Sequence, residues 1–107
     1  MNYDILSTHR FDKELKRLAK KYPSLKRDFA GLLALLSVNP QTGTPLGKQC
    51  FKIRLAISDK GRGKSGGARV ITCVHVQAAV VYLLTVYDKA EMSDIRDGDL
   101  REMIANL

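Results

Sequence analysis

The apolar residues of this chain change their spacing once, and that change decides what the chain can fold into. Between His9 and Leu36 they recur at steps of three and four, and between Phe51 and Tyr87 largely at steps of two. The first period belongs to a helix with one buried face and the second to a strand. A chain that is helical early and sheet-forming in its middle predicts the α+β class, with helices gathered on one face of a sheet. At 107 residues, one domain spanning residues 1–107 is expected.

Tyr3, Ile5 and Leu6 predict a first strand over residues 2–7. Thr8 is placed to cap a helix over residues 9–22, where Phe11, Leu15, Leu18 and Tyr22 line one face and Pro23 ends the run. Ser24 is placed to cap a second helix with Leu25, Phe29, Leu32, Leu33 and Leu36 inward, stopped by Asn39-Pro40. Two helices joined by so short a turn form an antiparallel hairpin. Residues 40–47 hold two prolines and two glycines and predict a loop. Strands are expected over residues 51–58, 68–76 and 79–87, the last two joined by Gln77-Ala78 as a hairpin. Leu100, Met103, Ile104 and Leu107 predict a short C-terminal helix over residues 97–107. The expected architecture is an N-terminal strand and two-helix hairpin packed on a twisted, mainly antiparallel sheet, with the other sheet face partly open.

The formal charge of +7 favours a polyanionic partner, nucleic acid first and an anionic membrane surface second. Its placement says more than its size. Residues 48–69 carry a net +6 in 22 residues, whereas the chain from Val70 onward is net −3. Lys52 and Arg54 share the face of their strand opposite Phe51, Ile53 and Leu55, and Arg69 opens the next long strand. Between them a glycine-rich loop carries Lys60, Arg62 and Lys64, and Lys48 lies just before the first of these strands. Such a cationic face suits a phosphate backbone; the alternative is a solvated edge strand whose charges block aggregation. The basic helical residues read as a solvated face of pairs such as Asp12 with Lys16.

Several chemistries fit poorly. Gly63-Lys64-Ser65 looks like the end of a nucleotide-binding loop, but the glycine needed five positions earlier is Ser58, and the loop joins two strands where the motif joins a strand to a helix. Cys50, Cys73, His9 and His75 have no zinc-type spacing, and the carboxylates after Asp88 are not paired. No metal or cofactor is expected. Cys73 and His75 share a strand face without placing a base against a thiol, so the cysteines read as structural, reduced thiols. The first residues lack a secretion pattern and the longest uncharged apolar run, residues 29–36, is too short for a bilayer. A cytoplasmic protein without membrane contact is expected.

Three blocks together resemble the RelE/ParE toxin superfamily, closest to its HigB-like branch. They are Phe51-Lys52-Ile53-Arg54, the run from Gly61 to Ile71 that contains Arg69, and the run from Tyr82 to Lys89. The helical hairpin before the sheet and Met92-Ser93-Asp94-Ile95 extend the similarity. The resemblance implies the toxin of a type II toxin–antitoxin pair, a metal-free endoribonuclease that cuts messenger RNA in the ribosomal A site and so touches ribosomal RNA as well. It also implies a cognate antitoxin, expected to be a helix-turn-helix protein. In that reaction the ribose 2′-hydroxyl attacks the adjacent phosphate, giving a 2′,3′-cyclic phosphate and a free 5′-hydroxyl.

Carried onto this chain, the resemblance makes Arg69 the stabiliser of the transition-state phosphate. Lys52 and Arg54 bind the backbone or share the proton-acceptor role. Tyr87 stacks on a base or orients the attacking group, or is simply a sheet-edge aromatic; Lys89 donates to the leaving oxygen and Asp88 positions a cation. Lys48, Lys60, Arg62 and Lys64 bind RNA or the ribosome. The same fold also serves ParE-type toxins that poison gyrase, and an inactive domain that binds nucleic acid or a partner is a third reading.

Overall fold

The computed structural model describes residues 2–107. In chain order it contains β1 (Asp4–Ser7), α1 (His9–Lys21), α2 (Leu25–Val38), β2 (Thr44–Gly47), β3 (Cys50–Leu55), a short 3-10 turn (Ser58–Lys60), β4 (Ala68–His75), β5 (Val80–Asp88) and α3 (Asp97–Ala105). The strands form one sheet in the order β1-β5-β4-β3-β2. β1 runs parallel to β5 and all other pairs are antiparallel, the α+β arrangement expected from the change of period.

The helical hairpin covers one face. Phe11, Leu18, Leu25, Phe29 and Leu36 meet Ile53, Val70, Leu83 and Val86 there, and the Phe11 and Phe29 rings sit 5.4 Å apart. Thr8 caps α1 as expected, accepting from Phe11 N–H at 3.2 Å, and its hydroxyl lies 3.1 Å from Leu83 O, so the cap also fastens α1 to β5. Ser24 departs from expectation. It has helical backbone angles and makes no side-chain cap; its N–H donates to Asp59 at 2.8 Å and its hydroxyl accepts from Asp59 N–H at 2.9 Å. The start of α2 is thereby tied to the turn that leads into the basic loop.

Three boundaries also differ. Residues 40–47 contain an edge strand, β2, whose Pro45 is tolerated because an edge needs no second ladder. β2 turns into β3 through Lys48 and Gln49, both at positive φ (55° and 64°), the geometry of a two-residue hairpin usually read from Asn-Gly. β3 ends at Leu55, although Ile57 remains buried as the chain enters the 3-10 turn. The connection from β4 to β5 takes residues 76–79, with Ala79 at φ 54°.

The second sheet face is only partly open. α3 lays Leu100 and Met103 against Ile71, Cys73, Leu84 and Tyr87, and Arg54 stays exposed. A bulge in β5 shapes this face: Ile71 pairs with Thr85 while Thr72 pairs with Leu83, so Leu84 is the extra residue. Glu14 of α1 holds the bulge, accepting from the Thr85 hydroxyl at 2.7 Å and from Val86 N–H at 3.3 Å. Alternation from Leu83 without the bulge would aim Tyr87 at the helices; with it, Tyr87 joins the opposite face.

Candidate functional site

Arg54 on β3 is the register partner of Arg69 on β4, and Arg69 is the partner of Tyr87 on β5. Three expected site residues therefore form one row across the sheet, with Lys52 two positions back on the same face. Val74 N–H donates to Gln49 O at 2.9 Å, and this parity makes Arg54–Arg69 a non-hydrogen-bonded pair, the kind in which side chains approach most closely. Like charges placed directly opposite destabilise a sheet.

Arg69 is only 3% exposed. Its guanidinium donates to the carbonyls of Lys64 (2.9 Å), Ala68 (3.1 Å) and Ser65 (3.3 Å). These acceptors take three of its five N–H groups but do not neutralise its charge, and among the described residues no carboxylate lies within ion-pair distance of Arg54 or Arg69. Next to it Tyr87 is 5% exposed, and its buried hydroxyl makes no hydrogen bond among the described residues. Burial, followed by the nearby Asp94 charge, pushes the Tyr87 hydroxyl above its ordinary pKa, with Arg69 opposing. It therefore stays protonated at neutral pH and can donate. The Tyr87 ring packs into the cluster of Ile71, Leu84 and Leu100, which leaves no open face for stacking on a base.

Asp94, which the sequence reading passed over as a site residue, accepts from Lys52 Nζ at 3.3 Å and from Ile95 N–H at 2.8 Å. The Ile95 N–H, then Lys52 and Arg69, hold its carboxyl below the usual range against the opposing effect of burial. The signal was its position in the segment that follows the last strand, which no periodicity marks.

One of the three cations expected on the basic loop to bind RNA is engaged inside the protein. Lys60 turns inward, donating to Asp88 Oδ1 at 2.6 Å and to Gly66 O at 2.9 Å, with its ammonium 5.3 Å from the Tyr22 ring centre. Asp88 is fully buried and also accepts from Ala90 N–H (3.0 Å) and the Tyr22 hydroxyl (3.2 Å). Burial alone would raise the Asp88 pKa; Lys60, Ala90 and Tyr22 together bring it below its ordinary value. Lys60 and Asp88 thus occupy each other beneath the loop. At the loop's exit Gly67 is required, since a Cβ there would stand 2.1 Å from Leu55 O.

The other expected residues divide by position. Lys64 lines a groove of about 630 Å³ with Lys52 and Arg54, floored by Leu32, Ile53 and Leu55 between α2 and β3. Arg62 is exposed on the loop, and Lys89 is exposed at the end of β5, where its N–H donates to Gly67 O at 3.1 Å. Lys48 is not brought to the row: it sits in the β2–β3 turn, six residues from Arg54, about 20 Å along a strand. Among the described residues no group of three or more His, Cys, Asp or Glu side chains could hold a metal ion, and no helix is long and apolar enough to cross a membrane.

The arrangement offers cationic donors and a protonated hydroxyl on one partly buried sheet face, a chemistry that can receive a phosphate. The fold is similar to a double mutant of the E. coli toxin RelE in the free state, with a TM-score of 0.66 at 18% identity over 100% of this chain and 99% of that one. It is similar to a chain of the toxin–antitoxin complex RelBE2 from Mycobacterium tuberculosis, with a TM-score of 0.60 at 18% identity over 84% of this chain and 94% of that one. The intact E. coli RelBE toxin–antitoxin complex gives a TM-score of 0.51 at 22% identity over 80% of this chain and 95% of that chain. Residues 12–106 match the family described as the RelE toxin of the RelE/RelB toxin–antitoxin system, and the chain therefore belongs to the RelE toxin family.

Proposed function

We propose that this protein is a toxin that cleaves messenger RNA in the ribosomal A site without a metal, and that the Arg54–Arg69–Tyr87 row receives the scissile phosphate. The observation that carries the reading is the buried Arg69 guanidinium, with no carboxylate within ion-pair distance among the described residues, beside a buried Tyr87 hydroxyl that makes no hydrogen bond among them. Two arginines opposed across a ladder are relieved when an anion sits between them.

In the proposed reaction the 2′-hydroxyl gives up its proton to water as its oxygen attacks phosphorus, and the bond to the 5′-oxygen breaks as that oxygen takes up a proton. Negative charge grows on the non-bridging oxygens, where a guanidinium fork gives two parallel hydrogen bonds. Arg69 and Arg54 supply that charge, Lys52 grips the neighbouring backbone, and Tyr87 donates to orient the attacking group or a phosphate oxygen. Lys89 stands at the end of β5 as proton donor to the leaving oxygen. Arg69 reaches a phosphate once the Lys64 and Ser65 carbonyls release it, so the loop moves as RNA binds. Lys64 and Arg62 then follow the RNA backbone. Lys60 and Asp88 act from below, by holding the loop. The antitoxin is a second partner, covering the cationic face with acidic side chains.

Controlled expression of wild type and Arg69→Ala in bacteria, with growth, DNA-damage response and RNA 5′ ends followed together, tests the reading. Translation-dependent cuts inside codons that vanish with Arg69→Ala support it. A DNA-damage response with intact messages would assign the gyrase-poisoning activity instead, and a protein without toxicity would overturn both.

A further inference from the structure

Cys50 on β3 and Cys73 on β4 are direct register partners. They share the parity of the Arg54–Arg69 pair, since the neighbouring Gln49 and Val74 carry the ladder bond. In such a non-hydrogen-bonded pair the Cα atoms stand about 4.5 Å apart, within the range that a disulfide spans. Both thiols are directed to one acceptor, the Lys48 carbonyl, at 3.6 Å and 3.9 Å. Both are free and nearly inaccessible, at 1% and 2% exposure. The row at Arg54 lies four residues further along β3, so the proposed cleavage uses neither cysteine.

We propose that Cys50 and Cys73 are a cross-strand redox couple that closes to an intramolecular disulfide under sustained exposure to a hydroperoxide or a small-molecule disulfide, and reopens with a thiol reductant. On closure two S–H bonds break and one S–S bond forms. The two electrons and two protons pass to the oxidant, turning hydrogen peroxide into two waters or a disulfide into two thiols. No strand has to shift, because the partners already face each other.

Response is slow by construction. Burial, then the neighbouring Cys73, pushes the Cys50 thiol up to about 12. Cys50 therefore forms fewer thiolates near pH 7 than an ordinary thiol, a deficit that its greater nucleophilicity offsets only in part, before access is counted. Closure also has a local structural consequence. The Lys48 carbonyl loses both S–H donors, in a turn where Lys48 and Gln49 hold positive φ without glycine. The turn loosens while β3 and β4 become cross-linked.

Intact-mass and peptide mapping of the folded wild-type protein, treated with hydrogen peroxide or oxidised glutathione at neutral pH, tests this directly. Expected are a species lighter by two hydrogens, a single peptide bridged between Cys50 and Cys73, and full reversal by dithiothreitol. Closure should run slower than modification of an exposed cysteine, such as Ser93→Cys in a protein lacking both natural thiols, because both natural thiols are buried. Amide exchange at residues 48 and 49 should quicken in the oxidised form. Only adducts on single cysteines, only dimers linked between chains, or closure only under denaturant would overturn the proposal. Cys50→Ser and Cys73→Ser should each abolish the bridged species, and the wild-type map decides the question even if those variants fold poorly.

Discussion

Arg54 and Arg69 face each other across the β3–β4 ladder in a non-hydrogen-bonded pair, with no carboxylate within ion-pair distance of either among the described residues. In a sheet that needed only to fold, this pairing is a liability. Arg54→Ala should therefore leave stability unchanged or raise it by up to about 1 kcal/mol while lowering RNA cleavage at least about tenfold, the loss expected of one phosphate contact worth about 1.5–3 kcal/mol. Urea unfolding and single-turnover cleavage, measured on the same preparation, check both halves.

Tyr87 gives a second separation of stability from activity. Its buried hydroxyl makes no hydrogen bond among the described residues, so Tyr87→Phe removes a desolvation penalty of about 1–3 kcal/mol and should not destabilise the protein. Cleavage should fall by about ten- to a hundredfold if the hydroxyl donates in the transition state. The pH–rate profile of the wild type should show no loss from Tyr87 ionisation below about pH 10, because burial and Asp94 push that ionisation upward.

The Lys60–Asp88 pair predicts an acid dependence of stability. Asp88 has a pKa lowered by folding, so its contribution is fully present above the unfolded carboxylate value of about 3.9 and is lost as pH falls through the lower folded value. Asp88→Ala strands the Lys60 ammonium and should cost about 3–5 kcal/mol at pH 7. Denaturant midpoints between pH 2 and pH 7 should show the variant's acid slope flattened relative to wild type.

Gly67→Ala should disturb the loop more than its size suggests, because the new methyl would stand 2.1 Å from Leu55 O. The expected result is faster amide exchange through residues 61–68, together with weaker cleavage, since the loop holds Arg69. Gly61→Ala meets no neighbour but is strained at φ 65°, at about 1 kcal/mol.

The α+β class, the helical hairpin, the Thr8 cap and the cationic face of β3 were all legible, because each rests on residue period or on local capping chemistry. What escaped has a physical cause in each case. β2 hides behind Pro45 and two glycines, and its turn through Lys48-Gln49 uses residues that carry no turn signature. The inward path of Lys60 is decided by a fully buried carboxylate 28 positions later, a contact with no trace in local sequence. Tyr87 reaches Arg69 only because Leu84 bulges, and that bulge is held by Glu14 from a distant helix. Asp94 comes to Lys52 on a segment without regular structure.

The central claim is tested most directly by adding purified protein to ribosomes programmed with a defined message and determining the chemistry of both new RNA ends. The account predicts cleavage within the A-site codon that needs no metal beyond the Mg2+ that holds the ribosome together, leaves a 2′,3′-cyclic phosphate and a 5′-hydroxyl, and drops at least about tenfold with Arg54→Ala and further with Arg69→Ala. An intact message at protein levels equal to the ribosomes, or cleavage that persists unchanged in both arginine variants, would contradict it.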